Sequence, residues 1–194
     1  MRNVLIVIST VLVLLSPIVY IRSILGGETK PHRTTRFVIW AITLLSTWSL
    51  IDSNFSAAFW LSAASMIQTS VVLALSFKHG YGGWAKLDII CLIIAAVGVI
   101  IWQVSGKPLL GLYASIIADV VGNIPALVKT YRLPYSENWQ FFALDTLSGT
   151  LSFMALTSYS IYTASYPAYI VVINGAMAVL ILWGRRQPDR QLTK

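Results

Sequence analysis

The stretch LLGLYASIIADVVGNIPALVKTY, residues 109–131, carries the deciding pattern. Coiled as a helix at 1.5 Å per residue it is about 35 Å long, enough to cross a hydrocarbon layer about 30 Å thick. Yet Asp119, Asn123 and Pro125 lie inside it. Ser115, Asp119, Gly122, Asn123 and Ala126 recur at steps of three and four, which gathers a hydroxyl, a carboxylate and an amide on one stripe with room beside them. A carboxylate at membrane depth costs about 2.5–3.5 kcal/mol on insertion scales, so the stripe is expected to face a bundle interior or a cavity. Pro125 withholds a backbone donor and frees a carbonyl near Val121, which predicts a bend with exposed acceptors.

Six further apolar runs flank this one: Val4 to Ile24, Phe37 to Ile51, Ala57 to Phe77, Leu87 to Val104, Trp139 to Thr157 and Tyr162 to Trp183. Of all residues 57% are hydrophobic and 11% charged, where soluble domains carry about a quarter charged. The expected class is therefore all-α integral membrane, with seven transmembrane helices. The first run follows Arg2 as a secretory signal would, but no small-residue cleavage site precedes Pro17 and Arg22, so it reads as a retained helix. The longest connections, Gly26 to Arg36 and Lys78 to Lys86, are short and punctuated by Gly, Pro and charge. Residues 1–194 thus read as a single membrane domain. Cys91, the sole cysteine, falls in the fourth run and reads as a small packing residue.

Charge placement predicts orientation. The connections after the first, third and fifth runs and the C-terminal tail hold Arg22, Lys30, Arg33, Arg36, Lys78, Lys86, Lys129, Arg132, Arg185, Arg186, Arg190 and Lys194. The opposite side holds Arg2 and Lys107. Twelve against two, by the positive-inside rule, puts the N-terminus outside and the C-terminus in the cytoplasm of a multi-pass protein of the cell membrane. The net charge of +7 is dispersed among loop ends rather than gathered on one face, so no nucleic-acid partner is expected. The cluster Lys30 to Arg36 reads as a topology anchor that meets membrane lipid headgroups. Trp84, Trp102, Trp139, Trp183 and Tyr131 stand at run ends, as an interfacial aromatic belt requires. Asp52 and Asp88 also lie at run ends, where solvation or capping accounts for them.

Comparing the chain with itself shows an internal repeat. Placing Pro31 on Pro134 superposes Thr43 on Thr146, Leu44 on Leu147, Thr47 on Thr150 and Ser49 on Ser152. Pro17 then corresponds to Pro125, and Gln68 to Asn174, at nearly the same separation. Residues 4–77 therefore read as one triple-helix repeat and residues 109–184 as a second. A three-helix unit reverses sidedness, so two parallel copies need an inverting helix between them, and residues 87–104 supply it.

This three-plus-one-plus-three layout, with a proline in the first helix of each repeat, resembles the SWEET and PQ-loop superfamily of small membrane transporters. The segment Asp119-Val-Val-Gly-Asn-Ile-Pro125 with Lys129 and Leu133-Pro-Tyr-Ser-Glu137 is most similar to it. Where family members often carry a Pro-Gln pair, this chain has Pro17-Ile18 and Pro125-Ala126. The resemblance implies alternating access about a midplane solute site, with Pro17 and Pro125 as hinges. It also implies that Asn174, in the last helix, contacts substrate.

The residues themselves nominate a site. Asp145, Ser148, Gly149 and Ser152 repeat the polar stripe on the sixth run, while the second run has Ser46, Ser49 and Ile42 in place of the acid. An apolar residue near Val11 stands opposite Asp119, so the acids belong to the second repeat. Gln68 and Asn174 lie near the middle of the third and seventh runs. The candidate substrate-binding set is Asp119, Asn123, Asp145, Asn174, Gln68 and Ser148, with Asp119 and Asp145 as candidates for proton coupling. The alternatives are that Asn174 and Gln68 only bond helices together and that the acids are structural.

Other classes are disfavoured. A retinal-type chromophore needs a lysine deep in the last run, which has none. His32 and His79 are loop residues without a Cys/His cluster, so no metal site is expected. No phosphate-cradling glycine loop exists, and no cofactor is implied. The glycine-bearing motif of an aspartyl hydrolase is missing, so no catalytic residue is assigned and no enzyme activity is expected. The leading expectation is transport of a small polar or cationic solute by alternating access. Either an acid exchanges protons and couples movement to the proton gradient, or it pairs directly with a cationic solute. A ligand-binding receptor and a structural membrane subunit are the alternatives. The bundle works alone or as a homo-oligomer.

Overall fold

A computed structural model of the chain describes residues 2–29, 31, 33–51, 57–80, 107–132 and 134–187, and positions 86, 89, 90, 93, 94, 96, 97, 100 and 104. The described residues are all helical or connecting. They form α1 (Arg2–Leu25), α2 (Arg33–Ser49), α3 (Ala57–His79), α4 (Pro108–Arg132), α5 (Trp139–Met154) and α6 (Ile161–Arg185), with a short 3₁₀ turn at Pro134–Ser136. The fourth apolar run, with Cys91, Asp88 and Trp102, lies mainly outside the described residues. Its described positions from Ile89 to Val104 are helical and largely exposed. Lys30, His32, Asp52, Trp84, Arg190 and Lys194 also fall outside.

The helix ends follow from local chemistry. Pro108 opens α4, where its missing N–H is one of the unpaired groups of any helix start. Asn138 caps α5 by accepting from the backbone N–H of Gln140 at 2.9 Å and Phe141 at 3.4 Å, and Ser160 caps α6 through Thr163 at 3.1 Å. At the end of α1, Gly27 has φ +75. Its N–H reaches Ile24 O at 3.1 Å while Glu28 N–H reaches Ser23 O at 3.0 Å, the paired bonds of a Schellman motif. No atom lies within 4 Å of a Cβ added at Gly27, so Gly27→Ala is expected to cost about 1 kcal/mol from left-handed backbone alone. A lowered melting temperature in detergent with unchanged helicity would check this.

Three helices are long and apolar enough to cross a membrane: α1 with 24 residues, α3 with 23 and α6 with 25. At 17 and 16 residues, α2 and α5 are each about 25 Å long and fall short by length. The apolar part of α4 spans Leu109–Ile124.

Beside an apolar core, the bundle turns large apolar side chains outward and buries many hydroxyls. On α1, Val7 is 60% exposed and Ser9 0%; on α4, Ile117 is 56% exposed and Ser115 0%. Serines at 16, 23, 46, 49, 62, 65, 76, 148 and 152 are buried as well. Apolar faces turned outward and small hydroxyls turned inward are what lipid selects, because hydrocarbon solvates valine and leaves a hydroxyl unpaired. Small residues also let helices close in. A Cβ added at Gly149 would lie 3.0 Å from Ile170 Cγ2 and 3.1 Å from Val171 Cγ2, so α5 and α6 meet closely there.

The helices pack as two trios. In the first, α3 contacts both α1 and α2; in the second, α6 contacts both α4 and α5. The trios meet through α1 with α5, α2 with α4, and α3 with α6 and α5. Exchanging α1, α2 and α3 for α4, α5 and α6 carries these neighbours into one another, apart from the contact of α3 with α5. Thr43 and Thr47 on α2 donate to carbonyls four residues back at 2.8 Å, as do Thr146 and Thr150 on α5.

Two apolar clusters occupy opposite ends of the bundle. One joins Val13, Leu50, Leu61, Leu112, Leu156 and Tyr166, where α3, α4 and α6 begin. The other joins Tyr20, Ile24, Val72, Phe141, Phe142, Met177 and Ile181, where α1, α3 and α6 end.

Candidate functional site

A cavity of about 100 Å³ lies between these clusters, lined by side chains from all six helices. That is space for several waters or a small solute. Asp119, Asn123, Asp145, Gln68 and Asn174 all line it, so five of the six nominated binding residues converge although they come from four helices. Ser148 does not line it; its hydroxyl donates to the carbonyl of Ser9 at 2.6 Å and ties α5 to α1.

Asp145 is 5% exposed and is held from the other trio. Ser16 Oγ donates to its Oδ1 at 2.6 Å, and Gln68 Nε2 donates to Oδ2 at 2.9 Å and Oδ1 at 3.2 Å. Gln68 Nε2 also reaches Ser16 Oγ at 2.7 Å, so α1, α3 and α5 share one polar knot. Such charge-assisted donors offset the desolvation of a carboxylate, which would otherwise be prohibitive.

Asp119 is arranged differently. Tyr169 donates its hydroxyl to Asp119 Oδ2, while Oδ1 is buried with no hydrogen-bond partner among the described residues. Asn123 donates its amide back to the Asp119 carbonyl at 2.8 Å. One layer away, the hydroxyls of Ser46 and Ser115 meet at 2.6 Å and join α2 to α4. Asn174 donates to the Ile170 carbonyl of its own helix at 3.0 Å. Gln68 therefore bonds across helices, whereas Asn174 faces the cavity and, among the described residues, bonds only its own helix.

Arg36 enters the cavity lining from the first turn of α2. Its guanidinium donates to the Tyr20 hydroxyl and lies 4.8 Å from the centre of the Tyr20 ring. Arg36, Ser16, Tyr166 and Tyr169 were not nominated from sequence. An arginine near a run end reads as a topology anchor, and serine or tyrosine within an apolar run reads as packing. Only the alignment of Ser16 and Tyr20 one turn apart on a face of α1 could have pointed inward.

Both nominated prolines sit within continuous helices, α1 running through Pro17 and α4 through Pro125. A third, Pro167, is fully buried inside α6 and was missed. The register taken from Pro17 and Pro125 puts Val11 opposite Asp119. Val11 is exposed, and Val13, also apolar, lines the cavity.

The chain matches no protein-family model, no curated protein and no solved structure.

Proposed function

We propose that this protein is a multi-pass membrane transporter which moves a small polar or cationic solute by alternating access. The observation that carries the reading is the cavity between the two trios, which holds a carboxylate with one oxygen unpartnered among the described residues and is flanked by two apolar clusters. A solute seated there would be exposed to one side when the first cluster parts and to the other when the second does. The near-exchangeable packing of the trios supports two parallel repeats with residues 87–104 inverting the chain between them. The outward apolar and inward hydroxyl faces support lipid as the surrounding solvent. In this reading Asp119 and Asp145 are the candidates for proton coupling, and Pro17, Pro125 and Pro167 the bend points.

The test is uptake by sealed proteoliposomes of a library of small polar and cationic solutes, with and without an imposed pH gradient. Saturable uptake supports transport, and stimulation by the gradient supports coupling. Ligand binding without uptake would replace the reading with a receptor. The saturation of Asp145 by Ser16 and Gln68 favours a structural role for that one acid, and the variants below separate the two.

Orientation has its own test. In a Cys91→Ser background, Arg2→Cys is expected to react with an impermeant maleimide on intact cells, and Arg186→Cys only after permeabilisation. Equal reaction of both on intact cells would rule out seven spans with a cytoplasmic C-terminus.

A further inference from the structure

At one end of the bundle, hydroxyls of the second trio reach across to backbone carbonyls of the first. Ser148 Oγ donates to the Ser9 carbonyl at 2.6 Å, and Ser152 Oγ to the Ala57 carbonyl at 2.9 Å. The Tyr162 hydroxyl donates to the Ser49 carbonyl. Each helix of the first trio thus accepts one bond. Ala57 belongs to the apolar cluster at this end and Tyr162 packs against it. Leu50, Leu61 and Leu112 of that cluster are 0% exposed.

These bonds join the trios and strand little when they break. Ser148 and Ser152 sit on α5, where a serine hydroxyl turns back to a carbonyl three or four residues earlier. Thr146 and Thr150 already do so on the same helix at 2.8 Å. Tyr162 stands in the first turn of α6, and a tyrosine at a helix end finds water at the membrane interface. On the acceptor side, Ser49 closes α2, and its carbonyl is one of the four that a helix end leaves to water or side chains. Ser9 and Ala57 lie in α1 and α3, whose backbone ladders supply a donor four residues on. The Asp145 knot has no such freedom, since parting it from Ser16 and Gln68 would bare a buried carboxylate.

We propose that Ser148, Ser152 and Tyr162 form a releasable latch which holds this end of the cavity shut. The proposal rests on the reading that the first apolar cluster parts to admit solute, and it adds what keeps that cluster together and why it lets go.

The experiment follows thiol modification of the full chain in detergent by a small cationic methanethiosulfonate, in a Cys91→Ser background. Two reporters are compared: Ile116→Cys, on the cavity wall beside the latched cluster, and Met177→Cys, on the wall beside the opposite cluster. Where opening is fast relative to modification, the rate follows the open fraction. Tyr162→Phe, Ser152→Ala and Ser148→Ala each remove one hydroxyl. Each is expected to raise the rate at the Ile116→Cys thiol about 3- to 20-fold, the range for one interhelical hydrogen bond in a membrane. The triple variant is expected to raise it about 20-fold or more. Tyr113→Phe is the control, because the Tyr113 hydroxyl meets Ser165 at 3.3 Å within the second trio, and it is expected to change nothing.

Unchanged rates at the Ile116→Cys thiol in all latch variants, equal acceleration at both reporters, or a Tyr113→Phe effect as large as that of Tyr162→Phe each overturns the proposal. The second reporter separates it from the transport reading. Acceleration at the Ile116→Cys thiol with slower modification at the Met177→Cys thiol supports both the latch and ends that open in turn. Acceleration at the first with an unchanged second, and no uptake by proteoliposomes, leaves the latch standing and removes transport.

Discussion

Asp119→Asn is expected to lower solute uptake about 10- to 100-fold, the worth of one charge-assisted contact, while unliganded melting stays close to wild type. The asparagine has nearly the same shape and keeps an oxygen to accept the Tyr169 hydroxyl. What it removes is the charge, and what it adds is an amide donor at the position of an oxygen that has no hydrogen-bond partner among the described residues. Folding therefore loses little, because no described donor was using that oxygen. A solute that binds there through a positive or hydrogen-donating group loses its counterpart. Initial uptake rates in proteoliposomes matched for protein content would be compared with unliganded melting in detergent. Unchanged uptake would remove Asp119 from the site, and early melting would make it a structural residue.

Asp145→Leu is expected to do the opposite and cost about 2–3 kcal/mol of stability, since it leaves two buried donors without their acceptor. Ser16 retains a bond to the Val13 carbonyl at 3.2 Å, and Gln68 Nε2 retains Ser16, so the loss is partial. Interhelical hydrogen bonds in membranes average about 0.6 kcal/mol and reach about 1.7. The larger figure expected here comes from the orphaned amide and not from the bond itself. That account predicts the sign of a double-mutant cycle. Gln68→Leu added to Asp145→Leu removes the stranded amide and is expected to recover about 1 kcal/mol. Unfolding of the four variants in mixed detergent would measure it, and strictly additive losses would show that the knot is not a coupled unit.

The two acids were indistinguishable in the chain. Each lies in an apolar run on a stripe with serine and glycine, and each was a candidate for binding and for proton coupling. Tertiary packing separates them. The other trio brings Ser16 and Gln68 to Asp145, whereas Asp119 receives one tyrosine from its own trio and keeps an oxygen unpaired. Ser148 shows the same limit from the other side. Its place on the stripe, one turn from Asp145, is visible in sequence, but the close approach of α1 turns its hydroxyl to the Ser9 carbonyl instead of the cavity.

Hydropathy is a local property, so the apolar runs and most helix boundaries could be read directly. The run from Leu109 to Tyr131 became Pro108–Arg132, and that from Tyr162 to Trp183 became Ile161–Arg185. The helix of the sixth run ends earlier than its apolar pattern, at Met154 rather than Thr157, with Ala155 as its C-cap. The cost of taking a carboxylate or an amide out of water, before any partner repays it, is a property of the side chain itself, which is why Asp119, Asp145, Gln68, Asn123 and Asn174 could be named before any contact was known. Which of them share a wall, and that Arg36 and Tyr169 join them, depends on contacts between helices distant in the chain, 129 residues for Ser16 and Asp145 and 50 for Asp119 and Tyr169. Hydrogen-bond partners in the bundle are assigned by proximity in space, and no periodicity along a single helix carries that information.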